Sequence, residues 1–209
     1  MTILLTGFEP NDRGLNASQI VVESLAENLP ESLKKYSDLI DCEIMPADTN
    51  KLGEILRGRI DFYKPKFGVF VGQARGRNKI TIERIATNLR DFGSPDRAKN
   101  LPKNQLIEKD GPVAYWSSLP GLETAIAQLN NANIPATFSN YGGNHLCNQI
   151  LYQGLHYTSI KKLDLKCGFV HIPILPIQVQ TQWKDSPFMT LEMNRKALEI
   201  ILSELILKL

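Results

Sequence analysis

Short apolar runs rich in β-branched residues alternate along this chain with longer segments whose apolar residues recur every three or four positions. That alternation is the signature of strand, helix and strand following one another in an α/β fold. Residues 3–8 (ILLTGF) predict a strand, and residues 16–29 a helix capped by Asn16 or Ser18 and stopped by Pro30. Residues 38–45 predict a second strand. In residues 50–63, Leu52, Ile55, Leu56 and Ile60 fall at helical spacing, after which Pro65 ends the helix and residues 67–71 open another strand. Residues 79–88 alternate apolar and polar positions as a strand does. Residues 90–110 are polar, contain proline and show no period, which predicts a long functional loop. A helix over 121–130, a strand over 134–139, a helix over 144–160 and a strand over 168–172 follow. Pro173, Pro176 and Pro187 predict an irregular stretch, and residues 190–209 an amphipathic helix with Leu198, Ile201, Leu202 and Leu205 on its apolar side. The sum is a three-layer α/β/α sandwich around a largely parallel central sheet, in which ligands bind beyond the carboxyl ends of strands. Cys147 follows the strand ending at Ser139, and His171 sits at the end of its own strand, so both are expected at that edge.

Composition narrows the picture without changing it. An apolar content of 43% over 209 residues suffices for one domain spanning 1–209, with a core that needs neither disulfide nor metal. Three cysteines in a chain of this size argue against a disulfide framework and for a reducing compartment, so a cytoplasmic location is expected. The opening MTILLTGF carries no basic leader, and no run reaches the roughly 18 apolar residues of a membrane span, so no membrane partner is expected. The 24 basic and 22 acidic residues are dispersed and leave a net charge of +2, which gives no sign of a nucleic-acid partner.

The candidate chemistry centres on Cys147, where the turn Tyr141-Gly-Gly-Asn-His145 feeds the start of a helix. Partial positive charge at a helix start favours a thiolate and is expected to lower the thiol's pKa. Gly142 and Gly143 leave backbone N–H groups free to point at an oxyanion. Against this, Ile150 and Leu151 share the helical face of Cys147, and a free cysteine is often simply core. Cys42 and Cys167 lie in apolar strand segments without such a turn and read as core. His171 reads as a buried histidine bonded to backbone or as the base that takes the thiol proton and returns it to a leaving amine. Glu83 lies in the alternating run Ile80-Thr-Ile-Glu-Arg-Ile85, where a buried carboxylate requires a partner. A protonated histidine, Arg75 and Arg77 are all permitted by the sequence. A zinc set drawn from His145, Cys147, Cys167 and His171 is the competing constellation, although its spacing matches no standard finger or ribbon.

These residues stand in a longer pattern. Leu5-Thr-Gly-Phe-Glu-Pro10, Asn16-Ala-Ser18, Val71-Gly-Gln-Ala-Arg-Gly-Arg77, Ile80-Thr-Ile-Glu-Arg-Ile-Ala-Thr-Asn88, Gly111-Pro-Val-Ala-Tyr-Trp116, Ser118-Leu-Pro120, Leu146-Cys-Asn148 and Gly168-Phe-Val-His-Ile-Pro173 together resemble the pyroglutamyl peptidase I family, also called pyrrolidone carboxyl peptidase. The resemblance runs nearly end to end. It implies a cysteine exopeptidase that removes N-terminal pyroglutamate from a peptide or small amide through a thioester, with Cys147 as nucleophile, His171 as base and Glu83 as orienting carboxylate. It further implies an open α/β/α sandwich, no cofactor, no metal, a homo-oligomer (tetramer or dimer), and a substrate site that includes Phe8, Asn11, Asn16, Gln73 and Gly143.

Three departures bear on the substrate. Where the family continues Gly-Phe-x-Pro-Phe-Gly-Gly, this chain has Asn11-Asp-Arg13 and is one residue shorter, so an apolar wall is missing. The family's Thr-Ala-Gly-Thr-Phe-Val-Cys becomes Tyr141-Gly-Gly-Asn-His-Leu-Cys147, and its Ala-Arg-Ile-Pro-Asp becomes Phe92-Gly-Ser-Pro-Asp96, with Gly93 in place of an arginine that supports the transition state. Losing an aromatic wall costs about 1–3 kcal/mol of discrimination. Losing an oxyanion-type donor costs about 2–4 kcal/mol of transition-state stabilisation. The expectation is a pyroglutamyl-peptidase-like enzyme, with a divergent member that binds small ligands or peptides and turns over weakly as the alternative.

Overall fold

Strands apolar at consecutive positions are buried on both faces and need helices on both sides. The computed structural model, which describes residues 2–10 and 14–209, has this arrangement. In chain order the elements are β1 (Ile3–Phe8), α1 (Ala17–Glu27), the short α2 (Glu31–Lys34), β2 (Ile40–Met45), α3 (Leu52–Tyr63), β3 (Phe67–Gln73), β4 (Ile80–Glu83) and β5 (Ile85–Thr87). Then come β6 (Ala114–Trp116), α4 (Leu122–Asn131), β7 (Ala136–Ser139), α5 (Leu146–Lys161), β8 (Lys166–Ile172), α6 (Pro176–Thr181) and α7 (Leu191–Ile206). The main sheet has the order β2-β1-β3-β8-β4-β7, and β5 and β6 form a separate hairpin. Four of its five pairings are parallel; the seam between β8 and β4 is antiparallel.

That seam corrects one expectation. Because β4 and β7 run against β8, the strand ending at Ser139 finishes two register steps from His171 toward the far edge, level with Glu83 and Phe169. The chain returns through residues 140–145 before it enters α5.

Alternation along the strands divides the core. Ile3, Leu5, Val69, Val71, Ile80, Ile82, Val170 and Ile172 pack with residues of α1, α4 and α7 in one cluster, while Leu4, Phe8, Phe70 and Phe169 pack with residues of α3 and α5 in another. Helix α5 lies close on this second face. A Cβ at Gly154 would stand 2.8 Å from the Phe70 ring, so glycine is what allows the approach.

The structure differs from the pattern in several places, the short α2 among them. The run over 79–88 is two strands, because Arg84 donates its N–H to Ser139 while its carbonyl accepts from Ser117, handing the chain from the main sheet to the hairpin. Strand β6 was not signalled by its sequence. The stretch expected to be irregular after Pro173 contains α6, where Pro176 occupies the first turn, a position that needs no N–H donor. Residues 38 and 39 belong to a 3-10 turn that precedes β2. The long loop over 90–110 is present, with one isolated bridge between Arg90 and Gln105.

Phe70 is fully buried between the sheet and α5. Phe70→Ala is expected to lower the unfolding free energy by about 3–5 kcal/mol, measured by urea denaturation. A loss below about 1 kcal/mol would show that α5 closes onto the sheet without that ring.

Candidate functional site

The site forms on the face of the sheet beneath α5. Period-two alternation places Thr81 and Glu83 of β4 on that face, with Ile80 and Ile82 on the other; on β8 it places Phe169 and His171 there, with Val170 and Ile172 opposite. The antiparallel register sets Thr81 against His171 and Glu83 against Phe169, so Glu83 and His171 are diagonal neighbours. His171 Nδ1 lies 2.8 Å from Glu83 Oε1, with the carboxylate fully buried and the imidazole 5% exposed. Arg77, from the turn before β4, places Nη1 2.5 Å from the same oxygen, also bonds the Thr81 hydroxyl, and donates through Nη2 to the Tyr141 carbonyl at 3.0 Å. Of the partners the sequence permitted for Glu83, two are engaged together, whereas Arg75 is exposed and lies over the Trp183 ring.

Cys147 is the second residue of α5, and its sulfur rests on Gly72. A Cβ at Gly72 would come within 2.9 Å of Sγ and 2.6 Å of the Phe169 ring, so only glycine leaves room for the thiol here. Gly72 is the register partner of His171, and the Phe169 and His171 rings are 4.7 Å apart between centroids. Thiol, imidazole and carboxylate thus occupy one patch of the sheet face.

The helix carrying the thiol is fastened on both sides by the two residues that follow it. Asn148 accepts from the Thr87 N–H and donates to the Thr87 and Leu89 carbonyls, and Gln149 exchanges two hydrogen bonds with Thr49. Sequence reading assigned neither a role. Two amides at consecutive positions of an otherwise buried helix were the available signal.

Burial pushes the Cys147 thiol up to about 12, and the Glu83 charge adds to this, while Arg77 and the backbone at the helix start oppose it. The lowering expected from the helix start is therefore outweighed. Burial also lowers His171 below the ordinary imidazole range; the hydrogen bond and charge of Glu83 counteract it only in part, and Arg77 lowers it further. For Glu83, burial acts upward, but the hydrogen bond and charge of His171, helped by hydrogen bonds from Ser139 and Arg77, hold the carboxyl below its usual range. The resting arrangement is a neutral thiol, a neutral imidazole and a carboxylate. A neutral imidazole beside a carboxylate carries its proton on Nδ1 and keeps the Nε2 lone pair available to a nearby acid.

The other predicted residues fare differently. Phe8 is 4% exposed in the cluster beneath α5. Asn16 caps α1, accepting from Ser18 N–H at 2.9 Å and from the Ser18 hydroxyl at 2.8 Å, and donates to the Glu9 carbonyl. Gln73 Oε1 accepts from the Ala17 N–H and from Gln178, both at 2.8 Å. The oxygens of these two side chains are therefore taken up by the protein itself. Gly143 has φ +83° in the turn before α5. Asn11 lies outside the described residues. Nothing stands within 4 Å of a Cβ built on Gly93.

His145 was expected either as a zinc ligand or as one of the departures from the family pattern. It stacks on the fully buried Phe92, with centroids 3.8 Å apart and planes at 26°, and its Nε2 lies 3.1 Å from the Ser94 carbonyl. Phe92 and His145 are both departures from the family pattern, and they pack on each other. The zinc set does not assemble: Cys167 packs near Gly68 and Gly154, His145 faces Phe92, and among the described residues no group of three or more His, Cys, Asp or Glu is placed to hold a metal. Among the described residues, no helix is long and apolar enough to cross a membrane.

The family model described as pyroglutamyl peptidase matches residues 1–207. The pyrrolidone-carboxylate peptidase of Brevibacillus brevis is 37% identical over 201 residues, covering 95% of this chain and 90% of that one. That of Thermosipho africanus is 38% identical over 193 residues, covering 92% and 90%. Among solved structures, pyroglutamyl peptidase I of Bacillus amyloliquefaciens superposes with a TM-score of 0.86 at 33% identity, covering 98% of this chain and 96% of that one. A mutant pyrrolidone carboxyl peptidase from the hyperthermophile Pyrococcus furiosus gives 0.89 at 29% identity with 100% of both chains covered. Sequence and fold match over nearly the whole length, and the chain belongs to the pyroglutamyl peptidase family of cysteine peptidases.

Proposed function

We propose that this enzyme hydrolyses the amide bond after an N-terminal pyroglutamyl or closely related residue, with Cys147 as nucleophile, His171 as general base and Glu83 as the carboxylate that orients it. The observation that carries the reading is the Glu83–His171 hydrogen bond of 2.8 Å on the sheet face where the Cys147 sulfur rests, on the register partner of His171. Sγ attacks the carbonyl carbon while Nε2 of His171 takes the thiol proton. The tetrahedral oxyanion is received by backbone N–H groups of the turn and of the first residues of α5. The C–N bond then breaks, His171 returns the proton to the amine, and a thioester remains on Cys147. Water, deprotonated by the same imidazole, attacks the thioester and releases the acid and the free thiol.

A second reading, a family member that binds its ligand and turns over weakly, is favoured by the open space at Gly93, where the resemblance places an arginine. Intact-mass analysis of enzyme quenched during incubation with a pyroglutamyl amide separates the two, because only the peptidase accumulates or passes through an acyl group on Cys147.

Two outcomes are expected. With a fluorogenic pyroglutamyl amide, Cys147→Ala is expected to lower kcat/KM by about three orders of magnitude or more, and equal rates for wild type and variant would remove Cys147 from the chemistry. The second concerns stability. Glu83 is depressed below 4.5 and His171 below 6.5, so for both groups the unfolded chain binds protons more readily, and their contribution to stability is complete above about pH 6.5 and lost as pH falls through the folded values. The urea midpoint is expected to decline below about pH 6.5, with a shallower decline in His171→Asn. A midpoint that rises on acidification would reverse the assignment.

A further inference from the structure

We propose that Arg77 is a positioning residue of the site: one guanidinium locks the Glu83 carboxylate against His171 and holds the glycine turn ahead of Cys147 over that carboxylate. The inference rests on the reading of His171 as the base. It begins from the convergence of two donors on one oxygen, since Nη1 of Arg77 and Nδ1 of His171 both contact Glu83 Oε1, at 2.5 and 2.8 Å. The same Nη1 bonds the Thr81 hydroxyl, on the same face of β4 as Glu83. Nη2 then reaches across to the Tyr141 carbonyl at 3.0 Å, at the first residue of the turn that leads into α5. That turn roofs the carboxylate: a Cβ at Gly142 would lie 3.5 Å from Glu83 Cγ and 3.8 Å from Oε2.

The charge and the shape of this group do separate things. A carboxylate without exposure reverts to the neutral acid unless a counter-charge stays beside it. His171 cannot serve throughout, because the proposed cycle takes it from neutral to protonated and back. Arg77 keeps its charge in every state. Glu83 therefore remains an acceptor for Nδ1–H when the imidazole is neutral, which fixes the tautomer with Nε2 free. The groups that bear on His171 among the described residues are Glu83 from β4, Arg77 from the preceding turn and the thiol of Cys147 from α5, while the adjoining Phe169 ring is apolar. Arg77, on the far side of the shared oxygen, repels a protonated imidazole and keeps His171 from becoming a trapped cation. The second role needs the planar fork, because a single ammonium cannot bond Glu83 and the Tyr141 carbonyl with the same rigid geometry.

The test compares wild type, Arg77→Gln and Arg77→Lys in the full-length protein. The His171 midpoint is read by NMR, its resonance assigned among the three histidines with His145→Gln and His156→Gln. Arg77→Gln is expected to raise the midpoint, to move the acid limb of kcat/KM upward with it, and to lower kcat about tenfold or more through the loosened turn. Arg77→Lys is expected to restore the midpoint and the acid limb but not kcat. An Arg77→Gln midpoint equal to that of wild type overturns the charge role, and full kcat in Arg77→Lys overturns the role of the fork. If Arg77→Gln does not fold, the kcat of Arg77→Lys, with its midpoint as the check on retained charge, still decides. A wild type whose hydrolysis does not depend on Cys147 defeats the peptidase reading, yet leaves the NMR midpoint to judge Arg77 separately.

Discussion

The contact between Glu83 and His171 is the constraint around which the site is arranged, because it places an ionised carboxylate where no water reaches it. Such a group destabilises a fold unless every neighbour is set to compensate. The antiparallel seam between β4 and β8 supplies the diagonal that brings the two side chains together. A parallel pairing here would stagger the strands differently and reverse the direction in which β4 presents its carboxylate. The reversal of β4 and β7 has a further consequence, since the chain must double back after Ser139. The glycine turn is that return path, which is why it crosses above the carboxylate and delivers the thiol to the sheet face.

Much of the fold was legible because its strands are apolar without interruption and its helices carry regular apolar stripes. Residues 3–8 and the helix over 52–63 are cases where period and boundary signals coincide. The failures share a cause. Strand β6 takes its existence from pairing with β5, and the break at Arg84 comes from hydrogen bonds to Ser139 and Ser117, partners more than thirty residues distant that no local period reports. Chemistry singled out Glu83, Cys147 and His171 in the sequence, and the fold brings all three to one face of the sheet, but the choice between histidine and arginine as the carboxylate's partner was not legible. It depends on the sheet diagonal and on the reach of a turn, and the answer is both. The upward push of burial on the thiol is hidden for a related reason: the helix start can be read from the sequence, while the packing around the sulfur cannot.

The departures from the family pattern read differently once their positions are known. Phe92 and His145 stand more than fifty residues apart in the chain, yet they stack, and the imidazole reaches the carbonyl of Ser94. This ties the long loop to the residue that caps α5, immediately ahead of the thiol. Asp96 secures the same loop from behind, accepting from the N–H groups of Thr49 and Asn100. Gly93 therefore sits in a loop pinned at both sides, and the absence of a side chain there leaves open space rather than a collapsed backbone. The loop's course is thus held by residues other than Gly93.

A thiol raised to about 12 is compatible with nucleophilic chemistry when charge is counted along the whole row from Arg77 through Glu83 and His171 to Cys147. At rest the row reads plus, minus, neutral, neutral, and its sum is zero. Transfer of the thiol proton to Nε2 changes it to plus, minus, plus, minus, and the sum is unchanged. Each new charge then faces an opposite one, so a buried site tolerates the change without importing a counter-ion. Without the arginine a row with neutral imidazole and thiol would carry a net negative charge, and only the backbone at the helix start would oppose the Glu83 field that already raises the thiol. In the proposed cycle the proton transfer is coupled to attack on the carbonyl, where the negative charge would leave sulfur for the oxyanion and be received by the backbone donors at the start of α5.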